Sequence, residues 1–243
     1  MWTNFFLPTQ AADLIRGVTD EDIKAVLFKM KPDKAPGPDG FTAGFFQSMW
    51  SIVGTDVCSA VKSFFASGRL LKVFNCTALT LIPKCSSPSK LSDYRPISCC
   101  NIVYRIISGV LAQRLKGLLP DIISPEQTTF VPGRRIADNI LLAQELLRKY
   151  HLPTTKSRST IKVDIQKAFD TVNWQFLVDI LSLMGFPIMF IGWIRECLTS
   201  PRYSININGE LVGFFRSFRG LRQGDPISSY LFVLVMEILS MII

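Results

Sequence analysis

An acid near the tip of a β-prone segment, two cations eleven positions apart and a glutamine beside a glycine are the residues of this chain whose types and spacing could do chemistry. The acid is Asp164, within Thr160-Ile161-Lys162-Val163-Asp164-Ile165. A carboxylate at a strand end, beside a turn, is a hard oxygen ligand suited to Mg²⁺. For any one aspartate taken alone, a solvated strand edge is the commoner reading. The cations are Lys84 and Arg95. Brought together they would grip a triphosphate, the guanidinium as a planar fork and the ammonium as a point charge; apart, they are surface charges. Gln223 stands before Gly224 and three residues after Gly220. Glycines let a backbone approach a ligand closely, and the amide both donates and accepts. The plain alternative is a turn that enters a helix.

These residues need elements to hold them. Ile161, Val163 and Ile165 alternate with Lys162 and Asp164, which predicts a strand with Asp164 on the face away from the core. Trp174, Leu177, Val178 and Leu181 recur at helical spacing, with Asn173 as N-cap and Gly185 as the stop. Ala78 to Ile82 and Tyr94 to Ile97 read as two strands joined by a polar loop, an arrangement that would bring Lys84 and Arg95 together. Tyr203, Ile205 and Ile207 alternate up to Asn208-Gly209, and Leu211 to Phe215 runs back; Asn-Gly predicts a type I′ hairpin. The apolar run from Tyr230 to Met236, closed by Glu237, reads as a buried helix.

Upstream, Thr19-Asp20-Glu21-Asp22 starts a helix with Ile23, Val26, Leu27 and Met30 along one stripe. Phe45, Phe46, Met49, Trp50 and Val53 line a second helix. Val57, Ala60, Val61, Phe64 and Phe65 line a third, closed by Gly68. The spacing of these aromatics favours core packing over stacking on bases. Residues 31–40 form a Pro/Gly-rich loop that carries Lys34. Asn101 opens a long helix with Ile102, Ile106, Val110, Leu111, Leu115 and Leu118 inward, predicted to stop at Pro120. Phe130 to Arg135 is a loop that feeds a helix over about Ile136 to Tyr150, and Ile188 to Leu198 predicts another, stopped by Pro201. Residues 151–159 read as a polar linker, and His151 is given no catalytic role.

The stretch from Thr160 to Asp170 resembles motif A of reverse transcriptases, in particular those of plant LINE-type (non-LTR) retrotransposons. The same family's patterns stand in family order around it: Lys34-Ala35-Pro36-Gly37-Pro38-Asp39-Gly40, Leu81-Ile82-Pro83-Lys84, Tyr94-Arg95-Pro96-Ile97-Ser98, Phe130-Val131-Pro132-Gly133-Arg134 and Gly220-Leu221-Arg222-Gln223-Gly224-Asp225-Pro226. The resemblance implies an α+β, helix-rich fold: the fingers and a partial palm of a right-hand polymerase, with short antiparallel strands and no thumb. Residues 1–159 would be the N-terminal extension and fingers, and residues 160–243 the partial palm. It implies an RNA-directed DNA polymerase that adds deoxynucleotides from their triphosphates to a DNA primer on an RNA template, with Mg²⁺ or Mn²⁺. Carried over residue by residue, Asp164 and the backbone carbonyl of Ile165 ligate metal, and Lys84 and Arg95 hold the triphosphate. Phe169 is the bulky gate beneath the sugar. Gln223 and Gly224 lie against the incoming nucleotide and the template base, while Lys34, Arg134, Arg135 and Arg222 contact nucleic acid.

The family's remaining acidic ligands belong to an aromatic-x-Asp-Asp motif, which this sequence does not contain. Asp170 reads as a turn or cap residue, and Pro226 aims Asp225 toward a helix N-terminus. The expectation is a fragment, truncated before that motif, that binds metal weakly and adds few or no nucleotides. Its motif A strand would keep an unpaired edge. The alternative is a non-catalytic nucleic-acid-binding remnant or the product of a decayed element.

Bulk properties fit but do not select. The chain has 243 residues, enough to bury a core, and 48% of them are hydrophobic, which argues against disorder. Lys plus Arg exceed Asp plus Glu, 27 against 19, so the net charge is +8; such an excess suits a polyanionic partner. The six cysteines include no Cys-x-x-Cys pair and there is one histidine, which argues against zinc. No secretory leader is recognisable and no apolar run is long enough to cross a bilayer. An intracellular protein with reduced thiols is expected, nuclear by the resemblance, with no membrane partner.

Overall fold

The computed structural model describes residues 7–148, 150 and 159–242. The apolar Trp2, Phe5 and Phe6, His151 and nearly all of the expected linker lie outside the described residues.

Several boundaries follow from local chemistry. Helix α1 is Pro8–Ile15 and α2 is Asp20–Phe28. Thr19 closes a capping box at the start of α2: its side chain accepts from Asp22 N, and the Asp22 carboxylate accepts from Thr19 N. The next stripe of aromatics is divided at Met49, giving α3 (Ala43–Ser48) and α4 (Trp50–Ser67). Trp50 and Val53 therefore belong to the same helix as Val57 and Phe64. Gly68, left-handed at φ 68°, ends it as the sequence predicts.

Helix α5 (Ile102–Ile122) is the axis of the core. It is apolar on nearly every face, and α1, α2, α4 and α10 (Ser228–Ile242) pack around it. Pro120 does not stop α5; the helix continues one half-turn past it. Proline this close to the C-terminus removes one ladder hydrogen bond, the one its N–H would have made to Lys116 O. Asn101 stands at the N-cap position but makes no capping bond. Its amide instead donates to Val73 O at 2.9 Å and accepts from Asp39 N at 3.3 Å. That ties the 31–40 loop to the end of the sheet, and Gly37 is needed there because a Cβ would meet Asn101 Oδ1 at 2.2 Å.

The sheet has four strands in the order β2-β1-β3-β4: β1 Cys76–Pro83, β2 Tyr94–Cys100, β3 Arg202–Ile207 and β4 Glu210–Phe215. The two hairpins are antiparallel as expected, but β1 and β3 are parallel, so the sheet is mixed. Asn208 (φ 52°) and Gly209 (φ 93°) make the β3–β4 turn. Helices α6 (Ile136–Leu147), α7 (Ala168–Thr171), α8 (Trp174–Leu183) and α9 (Ile188–Thr199) complete the described elements. Asn173 caps α8 by accepting from Phe176 N at 3.1 Å.

One expectation fails here. Residues 160–165 are not a strand, and their apolar side chains are not buried: Ile161 is 84% exposed and Val163 65%. Period-2 patterning says which face a strand would bury but cannot supply its neighbour. No described strand pairs with this segment, so its backbone has no ladder to join.

Candidate functional site

The turn after Asp164 and the loop before α10 are stitched together. Leu221 N donates to Phe169 O at 2.8 Å, and Gly220 N donates to Val172 O at 2.7 Å. Trp174 Nε1 donates to Gly220 O at 2.7 Å, and Gln223 Nε2 donates to Asp170 Oδ1 at 3.3 Å. Gly220 has to be glycine: φ is +90°, and a Cβ would lie 2.8 Å from Asp170 O. The same loop docks on the outer edge of β2, where Ser98 N donates to Gln223 O at 2.8 Å. Gly224, at φ +106°, leaves room against Ser98 O and Ile97.

These contacts place Phe169, Gln223 and Gly224 around one cleft of about 330 Å³, with Lys167 and Ser229 on its walls. Phe169 is braced by Phe232 of α10, the rings stacked with centroids 4.7 Å apart. Lys167 and Ser229 were not singled out from sequence. The left-handed backbone of Lys167 (φ 52°), which turns the chain out of 160–165 into α7, has no sequence signature in a lysine.

Lys84 follows the end of β1 and Arg95 lies in β2, on the two arms of one hairpin. Arg95 is paired with Ile82, and Lys84 N donates to Asp93 O at 2.7 Å as the hairpin opens. Arg95, exposed, makes no ion pair among the described residues. Lys84 Nζ donates to Ser92 O at 2.7 Å. Ile97, which Gly224 approaches, lies on the same face of β2 as Arg95, two residues on.

Two assigned contacts are corrected. Arg222 is 6% exposed and does not reach the surface. Its guanidinium donates to Asn75 Oδ1 at 2.7 Å, Thr77 Oγ1 at 3.4 Å and Cys197 O, and lies 4.0 Å from the centre of the Tyr104 ring. Asp225, 3.6 Å from Arg222 Nε, accepts from the hydroxyls of Tyr104 and Ser108. Burial works against the guanidinium's charge, but Tyr104, Cys100 and Asp225 around it raise its pKa above the usual value. Arg222 is a buried cation that fixes the 220–226 loop to α5 and the sheet. Arg134 is likewise consumed internally, donating to the carbonyls of Pro120, Ile123, Ser124 and Gln127. It satisfies carbonyls at and just beyond the C-terminal end of α5. Lys34 and Arg135 are exposed, and no described contact links either to the cleft.

Asp164 lies on the exposed segment that leads into the Phe169 turn, and Ile165 lines an apolar cavity of about 350 Å³ against α10. Among the described residues, no three His, Cys, Asp or Glu side chains converge. One exposed carboxylate and one carbonyl are too few hard donors for a pair of divalent cations. The donors this chain describes do not by themselves make that site.

The fold is that of a polymerase's fingers and palm. Its backbone matches a chain of a structure described as a partial Cas6-RT-Cas1–Cas2 complex, with a TM-score of 0.50 at 16% identity over 94% of this chain and 34% of that one. The family described as reverse transcriptase (RNA-dependent DNA polymerase) matches residues 82–243, and the chain belongs to it. It is 33% identical over 220 residues to the transposon TX1 uncharacterized 149 kDa protein of Xenopus laevis, covering 90% of this chain and 17% of that protein. It is 28% identical over 220 residues to the Pol polyprotein of the type-2 retrotransposable element R2DM of Drosophila melanogaster, covering 90% of this chain and 20% of that protein. The chain thus spans about a fifth of the length of these curated relatives. No described helix is long and apolar enough to cross a membrane.

Proposed function

We propose that the chain is the fingers and part of the palm of the RNA-directed DNA polymerase of a plant non-LTR retrotransposon, acting inside the cell in the nucleus. In this reading Lys84 and Arg95 take the triphosphate of a deoxynucleotide, with counter-charge for the oxygens that become more negative as pyrophosphate leaves. Gln223 and Gly224 set the nucleotide's position, and Phe169, held by Phe232, stands beneath its sugar and disfavours a 2′-hydroxyl. The observation that carries the reading is the stitching of the Phe169 turn to the Gly220–Gly224 loop beside β2, which builds one cleft from segments about 50 residues apart. Asp164 offers one carboxylate toward Mg²⁺ or Mn²⁺. These 243 residues contain no aromatic-x-Asp-Asp sequence to supply further acidic donors, so the chain alone adds little or no nucleotide.

Primer extension on an RNA template tests this in two forms of the protein. The 243 residues alone should incorporate little. A longer protein that contains them should extend the primer and lose that activity with Asp164→Ala. Strong incorporation by the 243 residues alone, or full activity of the longer protein carrying Asp164→Ala, would contradict the assignment.

A further inference from the structure

The loop that joins β1 to β2 carries an exposed serine that no described contact employs. Residues 84–90 read Lys-Cys-Ser-Ser-Pro-Ser-Lys, with a cation at each end and no carboxylate before Asp93. The base of the loop is tied. Lys84 N donates to Asp93 O at 2.7 Å, and the Asp93 carboxylate accepts from Ser89 N at 3.0 Å and Lys90 N at 2.9 Å. The tip is untied: Ser86 and Ser87 are exposed, and residues 85–88 make no hydrogen bond among the described residues. Such a tip can lie extended in another protein's groove without breaking a bond of its own fold. Pro88 favours that shape, since the residue before a proline is pushed out of helical backbone toward β.

Three of the 14 prolines follow a serine, and none follows a threonine. Two of those serines are committed internally. Ser124 Oγ donates to Glu237, while Ser200 Oγ donates to Glu196 O and accepts from Asn75 Nδ2, both at 2.7 Å. Neither has a base three residues on, where Gln127 and Tyr203 stand. Ser87 differs in each respect: it is exposed and unbonded, and Lys90 stands three residues on. Serine–proline followed by a base at that position is what proline-directed kinases of the cyclin-dependent class select. The proline ring brings no N–H to satisfy, and the lysine is a point charge for an acidic or phosphorylated docking surface.

We propose that Ser87 is a phosphorylation site for a proline-directed, base-selecting protein kinase. Ser87 Oγ attacks the γ-phosphorus of ATP. The Oγ–P bond forms as the bond to the ADP oxygen breaks, and the hydroxyl proton passes to the kinase's base. The product carries close to two negative charges and three acceptor oxygens. Lys84 and Lys90, each three residues away, are its nearest cations along the chain. Pairing with the phosphate draws Lys84 away from Ser92 O, to which its Nζ donates at 2.7 Å. Lys84 is one of the two cations assigned to the triphosphate, so the modification opposes nucleotide binding. That consequence rests on the polymerase reading given above; the site itself does not.

The test incubates the 243-residue chain with ATP and a purified cyclin-dependent kinase, maps the phosphate by mass spectrometry, and then measures deoxynucleoside triphosphate binding on a primer–template. One phosphate should appear, at Ser87, with Ser124 and Ser200 unmodified. Pro88→Ala and Lys90→Ala should each slow transfer about tenfold or more. Ser87→Ala should abolish it, melt with the parent and leave nucleotide binding unchanged. The phosphorylated chain should bind the triphosphate roughly 5- to 10-fold more weakly, a loss that shrinks as salt is raised. A chain that takes no phosphate overturns the proposal, whether or not a peptide of residues 82–95 accepts it. So does transfer that survives Ser87→Ala or runs as fast at Ser124 or Ser200. If Lys84→Ala weakens the triphosphate and phosphate on Ser87 does not, the opposition to nucleotide binding is refuted. If neither Lys84→Ala nor Arg95→Ala alters triphosphate affinity in the unmodified chain while Ser87 is phosphorylated, the polymerase reading of these cations fails and the site stands.

Discussion

Replacing Arg222 with methionine separates a buried structural cation from a nucleic-acid contact. The side chain is 4% exposed and Asp225 3%. Arg222→Met removes the donors to Asn75, Thr77 and Cys197 O and leaves the Asp225 carboxylate with the hydroxyls of Tyr104 and Ser108 and the Ile227 N–H, none of them charged. Breaking a buried pair from one side costs about 3–5 kcal/mol, because the partner's charge stays buried without compensation. For a domain of this size each kcal/mol lowers Tm by about 2–4 °C, so a fall of roughly 6–20 °C is expected. Urea unfolding followed by circular dichroism gives the free energy directly. The double substitution Arg222→Met with Asp225→Leu should recover much of the loss, since an apolar replacement of a whole buried pair is often close to neutral. A surface arginine would change stability by about 0.5 kcal/mol or less. Stability that near the parent's, together with weaker RNA binding, would refute the buried-cation account and restore Arg222 as a contact.

Three further outcomes follow from the geometry. Gly220→Ala should cost about 1–2 kcal/mol from its left-handed backbone alone. Because Asp170 O must also shift, it should weaken deoxynucleotide binding, whereas Gly17→Ala, with no atom within 4 Å of the added Cβ, should do neither. The Arg16 guanidinium, bonded to Asp22 at 2.8 Å, holds that carboxyl below its usual 3.8, helped by Thr19 N. The folded pKa is the lower one, so this contribution is complete above pH 3.8 and disappears as pH falls through the folded value. Arg16→Gln should therefore narrow the stability gap between pH 6 and pH 3, measured by urea midpoints. Helix α6 exposes Leu141 at 62% and Leu146 at 68%, and Ile161 is bare as well. The isolated chain should self-associate, and Leu141→Lys with Leu146→Lys should shift sedimentation toward monomer without lowering Tm.

The parts of this fold that sequence reveals are those fixed within a few residues. Thr19 needs only Asp22 to close its box, Asn173 only Phe176 N, and Asn208-Gly209 only its own backbone angles. The antiparallel pairing of β1 with β2 was legible because a short loop connects them. What could not be read depends on partners far along the chain. Arg222 meets Asn75, 147 positions away, and Asp225 meets Tyr104, 121 positions away; nothing in Arg-Gln-Gly-Asp-Pro says that the first and fourth residues face inward. Arg134 looked like a phosphate contact because its use, closing the end of α5 beyond Pro120, appears only once the 120–134 turn folds back. Asp164 shows the opposite limit: its alternation is genuine, yet a strand also needs an adjacent strand, and pattern alone does not provide one.

The central proposal is that Lys84 and Arg95, on the β1–β2 hairpin, take the triphosphate of a nucleotide held in the cleft that Phe169, Gln223 and Gly224 line. Equilibrium binding of a deoxynucleoside triphosphate to the chain held on an RNA–DNA primer–template tests it most directly. The account predicts that Lys84→Ala, Arg95→Ala and Gln223→Ala each weaken the nucleotide while primer–template affinity stays within twofold of the parent. Unchanged nucleotide affinity in all three variants would contradict it.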